Sequence, residues 1–139
     1  MIRAGAGAKA SNVLVADDAI DALNTVRQLL ELEGAQVSVA HDGAEALEAF
    51  RQGGFDIVFA DIGMPNMDGY EFAQSVRALP DGRHVPLIAL TGFTRPHDVQ
   101  RALKSGFDAH IGKPISIDLV TATMQRLLAE RNKEGKRQQ

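Results

Sequence analysis

Residues 55–61 read FDIVFAD, a segment that is uniformly apolar over 57–60 and ends in an acid. An apolar run of strand length is typical of a central strand that is covered on both faces. The segments before and after it, 43–52 and 69–79, carry apolar residues at helical spacing instead. The segment therefore predicts the middle of a sheet with helices packed against it.

The same alternation of strand-like and helix-like segments extends through the chain from Asn12. The predicted strands are 12–16, 36–40, 55–60, 85–90 and 108–112. The predicted helices run over about 20–33, 43–52, 69–79, 96–105 and 116–131. Five strand–helix units at this spacing imply an α/β fold, a doubly wound parallel sheet with right-handed crossovers.

Helical periodicity also predicts which side chains of two helices reach the core. The first helix has apolar residues at spacings near three and four, namely Ile20, Leu23, Val26 and Leu30. The residues of the fourth helix that are predicted to face inward are Val99, Ala102 and Leu103.

The composition limits the size of the fold and the partners it can attract. With 139 residues, of which 45% are hydrophobic, the chain suits one domain that covers both faces of a small sheet. Its 15 basic and 18 acidic residues give a formal net charge of −3, which offers no broad attraction to nucleic acid or anionic membranes. The longest apolar runs fall far short of the roughly 20 residues that span a bilayer. We therefore expect no direct nucleic-acid binding and no membrane association.

The chain divides into three predicted parts. Residues 1–11 lack the apolar centre of a signal peptide and are expected to be a flexible leader, 12–131 one folded domain, and 132–139 a polar tail. The absence of cysteine excludes disulfides and thiolate metal sites and is compatible with the cytoplasmic location that we expect.

Polar side chains follow four of the predicted strands at the point where each strand ends. Asp17 and Asp18 follow the first strand, Asp61 the third, Thr91 the fourth and Lys113 the fifth. The carboxyl ends of parallel strands form the binding crevice of such sheets, so these side chains are expected to converge. One pocket would then contain a metal site and a nucleophile.

The three acids predict a cation between them. Three carboxylates within a few ångströms resist joint ionisation unless a positive charge compensates them. Mg²⁺ suits this position because it prefers oxygen ligands and usually takes only one or two carboxylates, and Mn²⁺ would also fit. Taken singly, each residue has a plainer interpretation, such as a helix cap for the Asp pair and for Thr91, a solvated carboxylate at Asp61, or a surface lysine at Lys113. Their joint occurrence at strand ends favours the site.

Four pieces of sequence at these strand ends carry a family resemblance. They are VLVADD at 13–18, DIGMPNMDG at 61–69, LTG at 90–92 and KP at 113–114. Together they resemble the receiver domain of two-component response regulators, over about residues 12–130. The resemblance implies a flavodoxin-like (CheY-like) three-layer sandwich with strand order 2-1-3-4-5 and a site at the switch between the first and third strands.

The resemblance also implies a role for each site residue. Asp61 would accept a phosphoryl group from a histidine kinase or a histidine phosphotransfer protein. Asp18, Asp61 and the backbone carbonyl of Gly63 would bind the metal, and Asp17 would act on it through water. Thr91 would be the switch residue, and Lys113, with a cis Lys113–Pro114 bond, would neutralise the phosphoryl charge.

The chain departs from the commonest family pattern in two respects. His110 stands where many receivers carry a tyrosine or phenylalanine that rotates inward, so its part in the switch is open against the plainer interpretation of a surface histidine. The resemblance also places Gly63 and Phe93 at positions whose side chains, in the family, help set how readily water reaches the phosphoryl group. Because Gly63 cannot orient a water molecule and Phe93 would shield the site, we expect slow self-dephosphorylation.

The resemblance leaves the output of the domain open. We expect it to pass through the fourth helix, fifth strand and fifth helix to a protein partner, because the tail is too short for a DNA-binding module. A homodimer stays open, as does the choice between a free-standing regulator and a segment of a hybrid histidine kinase, whose receivers the chain resembles most.

Two other functions remain as alternatives to a phosphoacceptor. A receiver-like interaction module that is never phosphorylated would keep the fold, although no site residue is missing here. A Mg²⁺-dependent phosphatase with an aspartyl nucleophile is less favoured, because Gly63 stands where a general acid is needed. Chemistry beyond self-phosphorylation and self-dephosphorylation is not expected.

Overall fold

The computed structural model describes residues 11–92 and 95–137, with side chains described up to Arg131. Residues 1–10 of the predicted leader, residues 138 and 139 of the predicted tail, and Phe93 lie outside the described residues. In chain order the elements are β1 (Asn12–Ala16), α1 (Ile20–Leu32), β2 (Gln36–Ala40), α2 (Gly43–Arg51), β3 (Ile57–Asp61), α3 (Gly69–Ala78), a short 3₁₀ helix (Pro80–Gly82), β4 (Leu87–Thr91), α4 (Pro96–Ser105), β5 (Ala109–Gly112) and α5 (Ile117–Arg137).

The strands form one parallel sheet in the order β2-β1-β3-β4-β5. This order confirms the predicted doubly wound topology. It places β1 and β3 side by side in the interior of the sheet, with Ala16 opposite Ala60 in the register. The loops that follow these two strands therefore begin next to each other at the same edge of the sheet.

The central strand β3 is buried along its whole length, as the sequence predicts. Its alternating side chains contribute to two cores on opposite faces of the sheet. Val58 and Ala60 lie in the core that α2 and α3 cover, where Phe72 is fully buried. Ile57 and Phe59 lie in the core that α1 and α5 cover. Burying a side chain of this size stabilises the fold by roughly 1.5–3 kcal/mol, so both faces contribute.

Three elements end later in the chain than predicted, and two of these ends carry residues of the predicted site. β3 and β4 each extend one residue further than predicted, so Asp61 and Thr91 are the last residues of their strands. The last helix continues past the predicted end at Arg131 and reaches Arg137, into the segment predicted as a polar tail. Within the described residues, no helix is both long and apolar enough to cross a membrane.

Two side chains that were predicted to be buried are exposed. Ile20 is 60% exposed because it is the first residue of α1, before the helix reaches the core at Leu23. Leu103 is 47% exposed because the buried positions of α4 are Ala102 and Ser105. Successive residues of a helix differ in direction by about 100°, so Leu103 points away from the face that Ala102 buries.

Candidate functional site

Asp61 ends β3 at the carboxyl edge of the sheet and is only 8% exposed. Asp17 directly follows β1, where its backbone N–H donates to the Ala40 carbonyl at 3.1 Å, and its side chain is almost fully buried. Asp18, the next residue, is exposed. The neighbouring strands β1 and β3 therefore bring these acids together, as predicted.

The three carboxylates are close enough to share one cation. One oxygen from each of Asp17, Asp18 and Asp61 can be chosen so that all three lie within 4.8 Å of one another. Hard oxygen donors of this kind are the ligands that Mg²⁺ prefers in proteins. The cluster therefore fits the divalent cation that the sequence predicts.

Lys113 supplies a positive charge to two of these acids. Its Nζ lies 3.0 Å from Asp17 Oδ2 and 3.0 Å from Asp61 Oδ1. The strand ladder between β4 and β5 positions it, since the Lys113 N–H donates to the Thr91 carbonyl at 2.9 Å. The Lys113–Pro114 peptide bond is cis, the isomer that the family resemblance implies.

Burial and the neighbouring charges shift the pKa values of this pair. Burial raises the pKa of the Asp61 carboxyl, and the charges of Asp17 and Asp18 raise it further, whereas Lys113 opposes the rise. Burial alone lowers the pKa of Lys113, but its hydrogen bonds to Asp17 and Asp61 outweigh burial, and the net pKa is raised. Lys113 therefore stays an ammonium. The ionised form of Asp61 is disfavoured by burial and by the neighbouring acids, and a further positive charge nearby would stabilise it.

Thr91 and Gly63 complete the surroundings of Asp61. Thr91 ends β4, the strand beside β3, and is 4% exposed. The backbone of Gly63 lies close to the carboxylate, because a Cβ built there would be 3.9 Å from Asp61 Oδ2. Gly92 has open space where a side chain would be. Asp18 is exposed at the same edge of the sheet, so this edge of the site is open to solvent.

His110 is an exposed residue of β5, opposite Ala89 in the register. An exposed ring is compatible with either interpretation made from the sequence, and its part in a switch stays a prediction.

A family model for the "Response regulator receiver domain" matches residues 13–125. The chain belongs to the response regulator receiver family. It is therefore a receiver domain of two-component signalling, a signalling domain rather than a conventional enzyme.

The relatives of this receiver include both small proteins and segments of large kinases. An uncharacterized 14.6 kDa protein of Leptolyngbya boryana is 40% identical over 119 residues, which cover 85% of this chain and 91% of the relative. The sensor histidine kinase RcsC of Escherichia coli is 36% identical over 124 residues, 89% of this chain. The receiver spans only 13% of the length of RcsC.

Solved receiver structures have the same fold. The receiver domain of the sensor histidine kinase PA1611 from Pseudomonas aeruginosa superposes with a TM-score of 0.82 at 26% identity, covering 86% of this chain and 98% of the other. That structure has a magnesium ion coordinated in the active site cleft. The chemotaxis protein CheY4 of Vibrio cholerae gives a TM-score of 0.81 at 32% identity, covering 85% of this chain and 98% of the other.

The sequence analysis missed one part of the site's surroundings, the contact between α2 and the loop after β3. Asp42 Oδ2 accepts a hydrogen bond from Asn66 Nδ2 at 2.8 Å across 24 positions of sequence. Asp followed by Gly at a helix start signals a cap, which Asp42 provides. Nothing in the local sequence indicates that the same carboxylate also reaches a second loop.

Proposed function

We propose that this receiver accepts a phosphoryl group on Asp61 in a Mg²⁺-dependent step. The donor is the phosphohistidine of a histidine kinase or a histidine phosphotransfer protein. A carboxylate oxygen of Asp61 attacks phosphorus, the P–N bond breaks, and the leaving imidazole takes up a proton. Phosphorylation then changes the affinity of the domain for an output partner.

The chain's own residues assist this transfer mainly by position and charge. Lys113, already 3.0 Å from Asp61 Oδ1, neutralises charge that develops on the phosphoryl oxygens. The Thr91 hydroxyl, at the end of the next strand, offers a hydrogen bond to a phosphoryl oxygen. Asp18, Asp61 and the Gly63 carbonyl would bind Mg²⁺ directly and Asp17 would act on it through water, and the ion when bound would offset the negative charge of the acids and of the phosphoryl group.

The observation that carries this proposal is that one buried acid contacts an ammonium and also belongs to a cluster of three acids. Asp61 Oδ1 lies 3.0 Å from Lys113 Nζ, and oxygens of Asp17, Asp18 and Asp61 lie within 4.8 Å of one another, close enough to share a cation. An acid that only capped a helix or faced solvent would need neither. The magnesium ion in the PA1611 receiver supports the same assignment by analogy.

Acetyl phosphate provides the direct test. The protein is incubated with acetyl phosphate and MgCl₂ and then examined for an acid-stable, base-labile mass increase of one phosphoryl group. We expect the modification in the wild type and in Asp81→Asn, an exposed control in the 3₁₀ helix, and its loss in Asp61→Asn or after chelation of Mg²⁺. A modification that persists in Asp61→Asn would contradict the proposal, and steady release of inorganic phosphate would instead favour the phosphatase.

We further propose that output passes through the surface formed by α4, β5 and α5. Leu103 of α4 is 47% exposed and Leu119 of α5 is 49% exposed. His110 of β5 is also exposed. His110→Phe is expected to leave Asp61 phosphorylation intact and to change the affinity for the output partner. Unchanged affinity in both phosphorylation states would remove His110 from the switch.

We also propose the boundaries of the domain. The receiver spans 12–131 and a tail spans 132–139, and α5 continues into that tail as far as Arg137. A cytoplasmic location, the absence of direct nucleic-acid or membrane binding, and any homodimer stay predictions.

A further inference from the structure

The loop between β3 and α3, residues 62–68, is held in a defined shape by its own backbone. Met67 N–H donates to the Pro65 carbonyl at 2.7 Å, and Gly69 N–H donates to the Ile62 carbonyl at 2.8 Å. Asn66 has a positive φ of 68°, the only such value for a residue other than glycine within 11–92 and 95–137. Asn is one of the few side chains that tolerate this left-handed conformation. The loop that contains Gly63 is therefore ordered by a turn centred on Asn66.

This turn rests against the first residues of α2. Asn66 Nδ2 donates to Asp42 Oδ2 at 2.8 Å. Next to this hydrogen bond, a Cβ on Gly43 would lie 2.1 Å from the Met67 carbonyl oxygen, so the two backbones are in direct contact. Asn66 and the residue after it, Met67, are thus supported by the start of a helix that belongs to a different strand–helix unit.

Asp42 is itself fixed in place by the helix it begins. Its Oδ1 accepts from the Glu45 N–H at 2.7 Å as the N-cap of α2, while Oδ2 faces Asn66. These two hydrogen bonds lower the pKa of the carboxyl, with the bond to Glu45 contributing most. Asp42 therefore stays ionised at neutral pH and connects a rigid helix end to the loop.

We propose that Asp42 is a positioning residue for the metal site. Through Asn66 it holds the loop whose Gly63 carbonyl is offered to the cation beside Asp61. The inference rests on the proposed function, because it assumes that Gly63 is a ligand. Its physical basis is that a carbonyl on a loop binds a cation more tightly when the loop is already in the binding conformation, because binding then does not have to order the loop.

Two variants remove the connection while preserving the structures on either side of it. Asn66→Gly deletes the side-chain amide, keeps the left-handed backbone accessible and leaves the charge of Asp42 in place. Asp42→Ser keeps an N-cap acceptor for Glu45 but has no second oxygen for Asn66. Asp42→Asn is the conservative rescue, because its carbonyl can cap Glu45 while its NH₂ donates to a rotated Asn66 amide.

The readout is the dissociation constant for MgCl₂ alone, measured by isothermal titration calorimetry without any phosphoryl donor. We expect Asn66→Gly and Asp42→Ser each to weaken binding about 10-fold, the lower end of the range for partners of metal ligands. The double variant should bind Mg²⁺ no more weakly than the single variant that has the larger dissociation constant. Asp42→Asn should bind Mg²⁺ as the wild type does. Ile57→Val, at the far end of β3, is the control for a general loss of stability and should bind Mg²⁺ normally.

The outcomes separate this inference from the proposed function. If the wild type binds no Mg²⁺, the proposed function fails. If the wild type binds and both single variants bind within about threefold of it, the positioning role of Asp42 is wrong. Losses that add in the double variant, or an Asp42→Asn variant as weak as Asp42→Ser, would also overturn it, because the two side chains would then not act through one connection.

Discussion

At the scale of single residues, the site combines one ammonium group with an excess of negative charge. Lys113 contacts Asp17 and Asp61, but Asp18 adds a third acid to the same small region. One ammonium cannot compensate three carboxylates. The protein therefore retains an electrostatic cost at Asp61 in the absence of a divalent cation, and this cost can be measured.

Replacing Asp61 by Asn should stabilise the protein at neutral pH without divalent cations. Asn has the shape of Asp without its charge, so it removes both the desolvation of the carboxylate and its repulsion by Asp17 and Asp18. Because Lys113 keeps its contact with Asp17, we expect a net gain in the free energy of unfolding of about 1 kcal/mol. Urea unfolding in EDTA at pH 7 measures this gain.

The sign of the pH dependence follows from the raised pKa of Asp61. The folded protein binds this proton more tightly than the unfolded chain, whose carboxyl has the ordinary value of 3.8. The wild type therefore loses stability as pH rises from that value through the folded pKa, and Asp61→Asn does not. The gain should shrink as pH falls toward about 4. An equal gain at pH 4 and 7, or the same gain in Asp81→Asn, would contradict this account.

At the scale of elements, the start of α2 and the loop after β3 are packed backbone against backbone. Gly43 is buried, and a side chain there would meet the Met67 carbonyl oxygen at 2.1 Å from its Cβ. Either the loop or the helix must move to admit even one methyl group. The glycine is therefore required by the contact and not by its backbone angles.

Gly43→Ala should destabilise the protein although Ala is the better helix former. Overpacking of this kind costs about 1–3 kcal/mol, more than the 0.5–1 kcal/mol that Ala gains over Gly inside a helix. Gly92→Ala is the matched control, since a Cβ at Gly92 has no atom within 4 Å. Chemical unfolding of both variants tests the prediction, and a Gly43→Ala variant as stable as Gly92→Ala would refute it.

A second inter-element connection lies away from the acidic cluster, around Arg77 of α3. Its guanidinium donates to the carbonyls of Gly106, Gly82 and Val85 at 2.6–2.9 Å. It also pairs with Asp108 at 2.9 Å. One side chain thereby links α3, the end of the 3₁₀ helix and the turn between α4 and β5.

Arg77→Met should therefore destabilise the domain by about 2–3 kcal/mol. Met keeps much of the apolar stem, but several carbonyls lose a charged donor, and that of the buried Val85 is shielded from water. Urea unfolding measures the loss. Arg83→Met, at an exposed position, is the control and should change stability by less than about 0.5 kcal/mol. A loss at Arg77 no larger than that of the control would show that these hydrogen bonds contribute little.

At the scale of the whole molecule, the sequence predicted the features that depend on periodic patterns along the chain or on the residues at strand ends. The parallel order of the sheet, the burial of β3 and the meeting of the acids with Lys113 follow from periodicity, from strand ends and from the family resemblance. Ile20 was placed wrongly because periodicity does not tell where a helix begins to cover the sheet, and Leu103 because periodicity did not tell which of two adjacent apolar residues faces the core. The bond between Asp42 and Asn66 could not be predicted, since it depends on how two loops of different units pack.

The proposed metal site joins two neighbouring interior strands, so cation binding should stabilise the whole fold. Asp17 and Asp18 follow β1, and Asp61 ends β3, and these strands are paired along their length. A ligand that binds only the folded state raises the free energy of unfolding by about 2.7 kcal/mol at 100 times its dissociation constant. We expect a rise of this size with MgCl₂ in the wild type and its loss in Asp18→Asn. The exposed Asp21→Asn variant, one turn further along in α1, should keep the full effect. An equal Mg²⁺ effect in Asp18→Asn and Asp21→Asn would mean that the cation acts through general screening, and the acidic cluster would then not be the metal site.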